Sequence, residues 1–273
     1  MVSPRPRASA RQRRLGQNFL ADPNLLEMIV REARLDPTDV VLEVGGGGGA
    51  LTERLAPAAS HVHVVEFDER LRGELEPLAE RAGNVGLIWG DALRLDLATL
   101  QPAPTKLVSN LPYSIATPLL LRTISELPSI SEWLVMVQRE IGDRLRAGPG
   151  GREYGSPSVL AQLAAEVSLV RTVDPAVFTP RPRVGSALLR LVRRGPGASP
   201  ELARLVRDAF AHRRKSMARS LELGHPGRLG PARAALERVG KPADARAEAL
   251  SPEEFEAFAA ALDAAESTGE GRR

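Results

Sequence analysis

Asn110, Leu111, Pro112 and Tyr113 are the residues of this 273-residue chain whose types and spacing most directly suggest chemistry. Leu107 and Val108 lead into them like the end of a strand, and a helix-like run begins at Thr117. That order puts polar groups just beyond the carboxyl end of a strand, where open α/β sheets take their ligands. Asn110 offers an amide oxygen as acceptor, Pro112 fixes φ in the turn, and Tyr113 presents a flat ring. Stacking of a base on such a ring is worth roughly 1–3 kcal/mol. An acceptor beside a stacking ring is what the exocyclic amine of a planar base requires. The ordinary alternative is a capped turn with a buried tyrosine, so the neighbouring elements must decide.

Three further strand ends have to bring their groups to the same place. Residues 40–44 read as a buried strand that runs into Gly45-Gly46-Gly47-Gly48-Gly49-Ala50. A glycine-rich turn between strand and helix lets the backbone approach an adenosine-containing ligand closely. Its G-x-G-x-x-A pattern, starting at Gly45 and Gly47, suits a nicotinamide dinucleotide as well as S-adenosylmethionine. The next strand, residues 62–65, ends at Glu66, where an acid accepts hydrogen bonds from ribose hydroxyls. A third, residues 85–89, leads to Gly90-Asp91-Ala92 and places another carboxylate where an adenine amino group can be held. Dinucleotide enzymes have no general need of that acid. Polar strand ends at Glu66, Asp91 and Asn110 after a glycine turn therefore point to a methyltransferase site, against the plainer reading of Glu66 and Asp91 as helix caps.

Residues 132–137 read as a fifth strand, and residues 167–173 and 186–192 as a final pair. Together these predict an α/β fold: a Rossmann-like methyltransferase sheet of seven strands, the last antiparallel. Between the final pair, Val177-Phe178-Thr179-Pro180-Arg181-Pro182-Arg183-Val184 is held extended by alternating prolines. Phe178 is either a second aromatic wall for the base or a buried corner residue. Gly195-Pro196-Gly197-Ala198-Ser199-Pro200 is a linker by composition, and only helical patterns follow it. Leu202, Leu205, Val206, Ala209 and Phe210 share a helix face, on which Arg213 is an anomaly unless the helix breaks near His212. Arg213, Arg214 and Lys215 form the densest basic cluster after the N-terminus, and a solvated helix face is its plain explanation. Ser251-Pro252-Glu253-Glu254 caps a last helix with Phe255 and Phe258 inward. The expected organisation is a basic arm over residues 1–14, a catalytic domain over 15–194, a small all-α domain over 200–266 and a disordered tail over 267–273.

Composition narrows the class. Hydrophobic residues make up 43% of the chain, enough for a packed core. The absence of cysteine rules out disulfides, thiolate zinc sites and a cysteine nucleophile. His61, His63, His212 and His225 show no metal-ligand spacing, so no metal is expected. No run approaches a membrane span, and the Arg-rich N-terminus lacks the apolar segment of a secretory signal, so a cytoplasmic protein is expected. Formal net charge is only +3, but Arg5, Arg7, Arg11, Arg13 and Arg14 stand together without an acid. They form either a solvated tail or an arm suited to RNA phosphate.

Over residues 15 to 262 these motifs resemble the KsgA-type small-subunit ribosomal RNA adenine dimethyltransferases. Leu15-Gly16-Gln17-Asn18-Phe19-Leu20 is similar to the opening cofactor motif of that family. The resemblance adds Gln17, Asn18 and Leu20 to a cofactor-binding set of Gly45, Gly47, Glu66, Asp91, Ala92 and Asn110. Asn110 to Tyr113 resemble its catalytic motif, with Ile115, Thr117 and Pro118 in pattern. Phe178 with Pro180 and Pro182, Ser186-Ala187, and Phe210 with Arg213-Arg214-Lys215 also recur there. Where the family usually carries proline this chain has Gly46, which implies a looser loop and weaker cofactor binding. Arg219 and Ser220 stand where asparagines are common.

The resemblance implies S-adenosylmethionine as cofactor and the small ribosomal subunit, with its 16S RNA, as partner. It implies two methyl groups on N6 of each of two adjacent adenosines near the 3′ end of that RNA, and a protein that is monomeric when free. A large-subunit adenine methyltransferase of the resistance type shares the catalytic motif, but the long helical C-terminal region argues against it. A nicotinamide oxidoreductase would leave Asn110 to Tyr113 without a role. A non-catalytic ribosome-assembly factor that kept the fold stays compatible with the sequence.

Overall fold

The computed structural model describes residues 19, 20 and 22–270, with side chains as far as Glu266. The chain divides into two compact units. One holds the residues up to Gly142 with Val167–Arg193, the other Asp143–Glu166 with the residues from Arg194 on.

The first unit comprises Phe19–Leu20 (β1), Pro23–Ala33 (α1), Val40–Val44 (β2), Thr52–Leu55 (α2), His61–Glu66 (β3), Arg72–Ala82 (α3), Val85–Trp89 (β4), Lys106–Asn110 (β5), Ala116–Glu126 (α4) and Glu132–Gln138 (β6). After Arg139–Arg146 (α5) and Ser156–Ala164 (α6), which carry the chain through the other unit, it resumes with Ala165–Val173 (β7), Phe178–Thr179 (β8) and Ser186–Arg193 (β9). Strands apolar on both faces belong at the centre of a parallel sheet. β2 is such a strand apart from Glu43, and all five of its residues are buried. It pairs in parallel with β3 on one side and β5 on the other. β4 adds in parallel to β3, and β6 to β5. β9 joins β6 antiparallel and separates it from β7, so the seven-stranded order is β4-β3-β2-β5-β6-β9-β7.

The direction of winding reverses between β2 and β5. The loops after β2, β3, β4 and β5 consequently open at the same edge, at the switch point where doubly wound sheets bind ligands. A separate two-stranded pairing of β1 with β8 sets Leu20 opposite Phe178. α1 starts where Asp22 accepts the Leu25 N–H at 2.9 Å and Pro23 takes the first helical position. Its Leu26 and Ile29 join Val41, Val62, Val108, Leu134 and Leu188 in one apolar cluster. Arg190 of β9 ties this packing together: its guanidinium lies 3.2 Å from Glu32 on α1 and 3.1 Å from Glu132 on β6, and it also donates to the Glu32 carbonyl.

The second unit is helical: α6, Pro200–Phe210 (α7), Met217–Gly224 (α8), Leu229–Arg238 (α9) and Pro252–Glu270 (α10). Two expectations are corrected here. Residues 143–166, expected in the catalytic domain, cluster with the C-terminal helices. The reason is aromatic packing: Tyr154 meets Phe210 edge-on at 5.9 Å, Phe210 meets Phe255 at 5.8 Å, and the Tyr154 hydroxyl donates to the Leu250 carbonyl. Residues 267–270, expected to be disordered, continue α10, since each added helical residue gains a backbone hydrogen bond once the helix is nucleated. The last helix is opened by a reciprocal cap, with Ser251 Oγ accepting from the Glu254 N–H and Glu254 accepting from the Ser251 N–H. α7 ends at Phe210, so Arg213 lies in the following turn and off the apolar face. The arm over residues 1–14 lies outside the described residues. Among the described residues no helix is long and apolar enough to cross a membrane.

The Arg190 side chain is only 12% exposed, between two carboxylates. Arg190→Ala should therefore lower stability by an amount near the bottom of the roughly 3–5 kcal/mol range for breaking a buried ion pair, because Glu32 retains partial solvation. A urea unfolding midpoint equal to that of the parent would mean that the two glutamates are solvated well enough alone.

Candidate active site

The glycine loop is shaped by what surrounds it. Gly45 has φ +85° and donates to the Val65 carbonyl at 2.8 Å. A Cβ there would stand 3.2 Å from the Pro112 ring, so the glycine loop and the loop after β5 are in direct contact. Gly47, at φ +56°, approaches the Phe19 ring just as closely and donates to Glu66 Oε2 at 3.0 Å. The other oxygen of Glu66 accepts the N–H groups of Phe67 and Asp68, both at 2.8 Å. The implication of a merely loose Gly46 needs correction. A Cβ at Gly46 would lie 2.5 Å from Cγ1 of Val64, a fully buried, stiff side chain of β3. The missing side chain at 46 is matched by the valine at 64.

The remaining strand ends converge similarly. Asp91 Oδ1 accepts the Leu93 N–H at 2.9 Å, so this carboxylate does shape its own turn. The Ala92 carbonyl beside it accepts from Arg122 of α4 at 2.8 Å, which ties the Asp91 turn to the helix that follows the Asn110 motif. β5 is held in place by Ser109, whose buried hydroxyl donates to the Val44 carbonyl at 2.6 Å. Asn110 is opposite Met136 in the register, and the Leu111 N–H donates to the Met136 carbonyl. The Tyr113 hydroxyl is 2.7 Å from Ser186 Oγ.

These groups line one cavity of about 540 Å³, a usual size for a small-molecule site. Leu20, Gly45, Gly47, Glu66, Asp91, Ala92 and Asn110 to Tyr113 all line it. Gln17 and Asn18 lie outside the described residues. Phe178 does not line the cavity: its ring is 1% exposed and belongs to the core, so the aromatic-wall reading gives way to the buried-corner one. The physical reason is its pairing with Leu20, with which it shares one apolar cluster. Arg213, Arg214 and Lys215 belong to the helical unit, where Arg213 sits 3.3 Å from Glu248 and the other two are exposed. Sequence reasoning missed Phe67, a half-exposed ring on the cavity wall, and Arg122. Phe67 was signalled by its place directly after the Glu66 strand end. Nothing in the local sequence marks Arg122, whose partner is 30 residues away.

Glu43 is a further lining residue with unusual electrostatics. Burial pushes its carboxyl up to about 8; the Thr52 hydroxyl, donating at 2.6 Å, opposes that rise, and nearby Glu66 adds to it. Two carboxyls of the same cavity are therefore differently kept, one among backbone donors and one neutral near pH 7.

The donor set suits S-adenosylmethionine. Glu66 can accept roughly four hydrogen bonds, which leaves capacity for a ribose hydroxyl beyond its three backbone partners. Asp91, Ala92 and the side-chain-free glycine loop line the same cavity. Sheet order and cavity together define a Rossmann-like methyltransferase that uses S-adenosylmethionine.

Known proteins narrow the class. The family model for ribosomal RNA adenine dimethylase matches residues 8–258, and the chain belongs to that family. Proteins named ribosomal RNA small subunit methyltransferase A from Rubrobacter xylanophilus and Streptomyces coelicolor are 43% and 44% identical to it. The matches cover 94% and 88% of this chain and 95% and 87% of theirs. Among solved structures, a dimethyladenosine transferase from Plasmodium falciparum shares the fold at a TM-score of 0.78, with 24% identity over 91% of this chain and 98% of that one. The 23S rRNA methyltransferase ErmE gives a TM-score of 0.66 at 28% identity, over 90% of this chain and 100% of that one.

Two predictions test the site. With a folded pKa near 8 against an ordinary 4.5, Glu43 holds its proton longer in the folded than in the unfolded protein. The stability it contributes is complete below the ordinary value and is lost as pH climbs through about 8. Ligand-free Glu43→Gln should accordingly lose less melting temperature than the parent between pH of about 5 and about 9; parallel curves would contradict a neutral Glu43. Separately, Gly46→Ala should cost about 1–3 kcal/mol by overpacking against Val64. Combined with Val64→Ala, the two losses should sum to less than their separate values, and strict additivity in denaturant unfolding would show that the loop simply moves aside.

Proposed function

We propose that this chain transfers methyl groups to N6 of adenosines in small-subunit ribosomal RNA, two to each of two adjacent adenosines near the 3′ end. The observation that supports this best is the placement of Asn110, Leu111, Pro112 and Tyr113 on the same cavity as the glycine loop and Glu66. An adenine amino nitrogen is a poor nucleophile, because its lone pair is delocalised into the ring. In the first transfer the Asn110 side-chain oxygen and the Leu111 carbonyl accept its two N–H bonds, and in the second, one of them accepts the N–H that remains; in each they favour a pyramidal nitrogen and free the lone pair. Tyr113 supplies the stacking face. When bound, S-adenosylmethionine supplies the electrophilic methyl group. Alignment by these residues, rather than acid–base chemistry, accounts for the rate, and geometry can contribute up to about 7–11 kcal/mol. The displaced proton goes to water, and the base leaves the RNA stack to reach the cavity.

Gln17, Asn18 and Leu20 complete the cofactor side. Arg213, Arg214 and Lys215 grip RNA phosphate, as does the basic arm over residues 1–14. In the helical unit, Ser220 accepts from the His212 N–H and donates to the Asp208 carbonyl, so a buried serine holds the basic turn against α7. Arg213 is about half exposed, and its pair with Glu248 contributes little to stability, so the cation stays available to RNA. Higher identity to relatives named for the small subunit than to ErmE favours that subunit over the large one. The free protein is a monomer and works in the cytoplasm, where subunits are assembled.

Incubation with methyl-labelled cofactor and undermethylated small subunits, large subunits or naked RNA tests the reading; label confined to the large subunit, or none at all, would sink it. Asn110→Ala should keep cofactor affinity within a few-fold while turnover falls by about two to three orders of magnitude, as for the loss of one transition-state partner. Turnover surviving within tenfold would remove the acceptor role.

A further inference from the structure

Stacking alone needs only the ring of Tyr113, and a phenylalanine would serve as well. The structure gives the hydroxyl a use. It lies 2.7 Å from Oγ of Ser186, the first residue of β9, whose side chain is 1% exposed. Ser186 is opposite Gln138 at the end of β6, and β6 lies between β5 and β9. The tyrosine side chain thus reaches from the loop after β5 past β6 to β9. A buried hydroxyl must find a partner, and Ser186 opens a strand that continues Ala187-Leu188-Leu189, all buried. With Ser186 holding the phenol, the far end of the Tyr113 side chain is anchored.

We propose that Ser186 is a positioning residue for the target base. Its hydroxyl holds the Tyr113 ring at the setting from which a stacked adenine presents its amino group to Asn110 and Leu111. The inference rests on the adenine-methylating reading of the same cavity. Ser186 itself touches no substrate and acts through Tyr113. A ring ordered in advance costs less to engage than a free one, and small misplacements of a reacting group are amplified in rate.

The test is a double-mutant cycle on the full-length protein, with undermethylated small subunits as substrate. Ser186→Ala and Tyr113→Phe should each lower kcat/KM for RNA about tenfold, the effect of one lost hydrogen bond. Cofactor affinity by calorimetry should stay within about twofold. Because both changes break the same bond, the double variant should lose no more than either single one. Ser186→Thr, which keeps the hydroxyl, should recover most of the rate. Full activity in Tyr113→Phe, or losses that multiply in the double variant, would overturn the proposal. If Ser186→Ala does not fold, Tyr113→Phe carries the test alone, because the ring remains. Parent activity on small subunits is measured first, so that its absence counts against the functional reading and not against the tether. The tether is then read in ligand-free protein by titrating the phenols of Tyr113 and Tyr154, the two tyrosines of the chain. Burial raises the Tyr113 phenol while the Ser186 bond restrains that rise, and burial together with nearby Glu253 and Glu254 pushes the Tyr154 phenol far above the usual range. Ser186→Ala should therefore shift the lower titration upward, and no shift would overturn the tether whatever the RNA result.

Discussion

The carboxylate of Glu66 is the point on which the cofactor end of the cavity depends. One oxygen takes the N–H of Gly47 and the other takes those of Phe67 and Asp68. The end of β3 is thereby stitched to the turn after β2. Charge-assisted bonds from backbone donors are among the stronger hydrogen bonds in proteins. Partners are needed here, because a polar group that is 6% exposed would otherwise be costly to bury. The same group that would receive a ribose thus also shapes the loop that receives the rest of the ligand.

The other strand ends are coupled to this one by short contacts. Pro112 packs on Gly45, Ser109 is bonded to the last carbonyl of β2, and Arg122 binds the Ala92 carbonyl. The glycine loop, the Asp91 turn and the Asn110 motif are therefore linked by direct contacts. This explains how a loop of five consecutive glycines, entropically costly to order, can be well defined. Its conformation is dictated by Phe19, Val64, Leu78 and Pro112 around it.

Burial divides the acids of the cavity by environment. Glu66 meets three N–H groups, whereas Glu43, one strand away on β2, meets a single hydroxyl and is driven towards its neutral form. Desolvation, one hydroxyl partner and the neighbouring Glu66 together set the state of Glu43.

Much of this was legible in the chain itself. Strand and helix periodicities, the glycine turn, the acids at strand ends and the Asn110 motif are local signals, because strands end where polar or glycine residues interrupt apolar runs. They predicted the sheet, and the residues they single out supply part of the cavity lining. What tertiary structure decided were relations between distant residues, which no local pattern encodes. Phe178 became core because β8 pairs with β1. Residues 143–166 joined the helical unit because Tyr154 packs on Phe210, and Arg213 left the apolar face because its helix stops at Phe210. Gly46 is matched by Val64, and Tyr113 is tied to Ser186 across 73 residues of sequence. Sequence alone determined which chemical groups are present and on which kinds of element they stand; packing, which is set by contacts far apart along the chain, decided which of them meet.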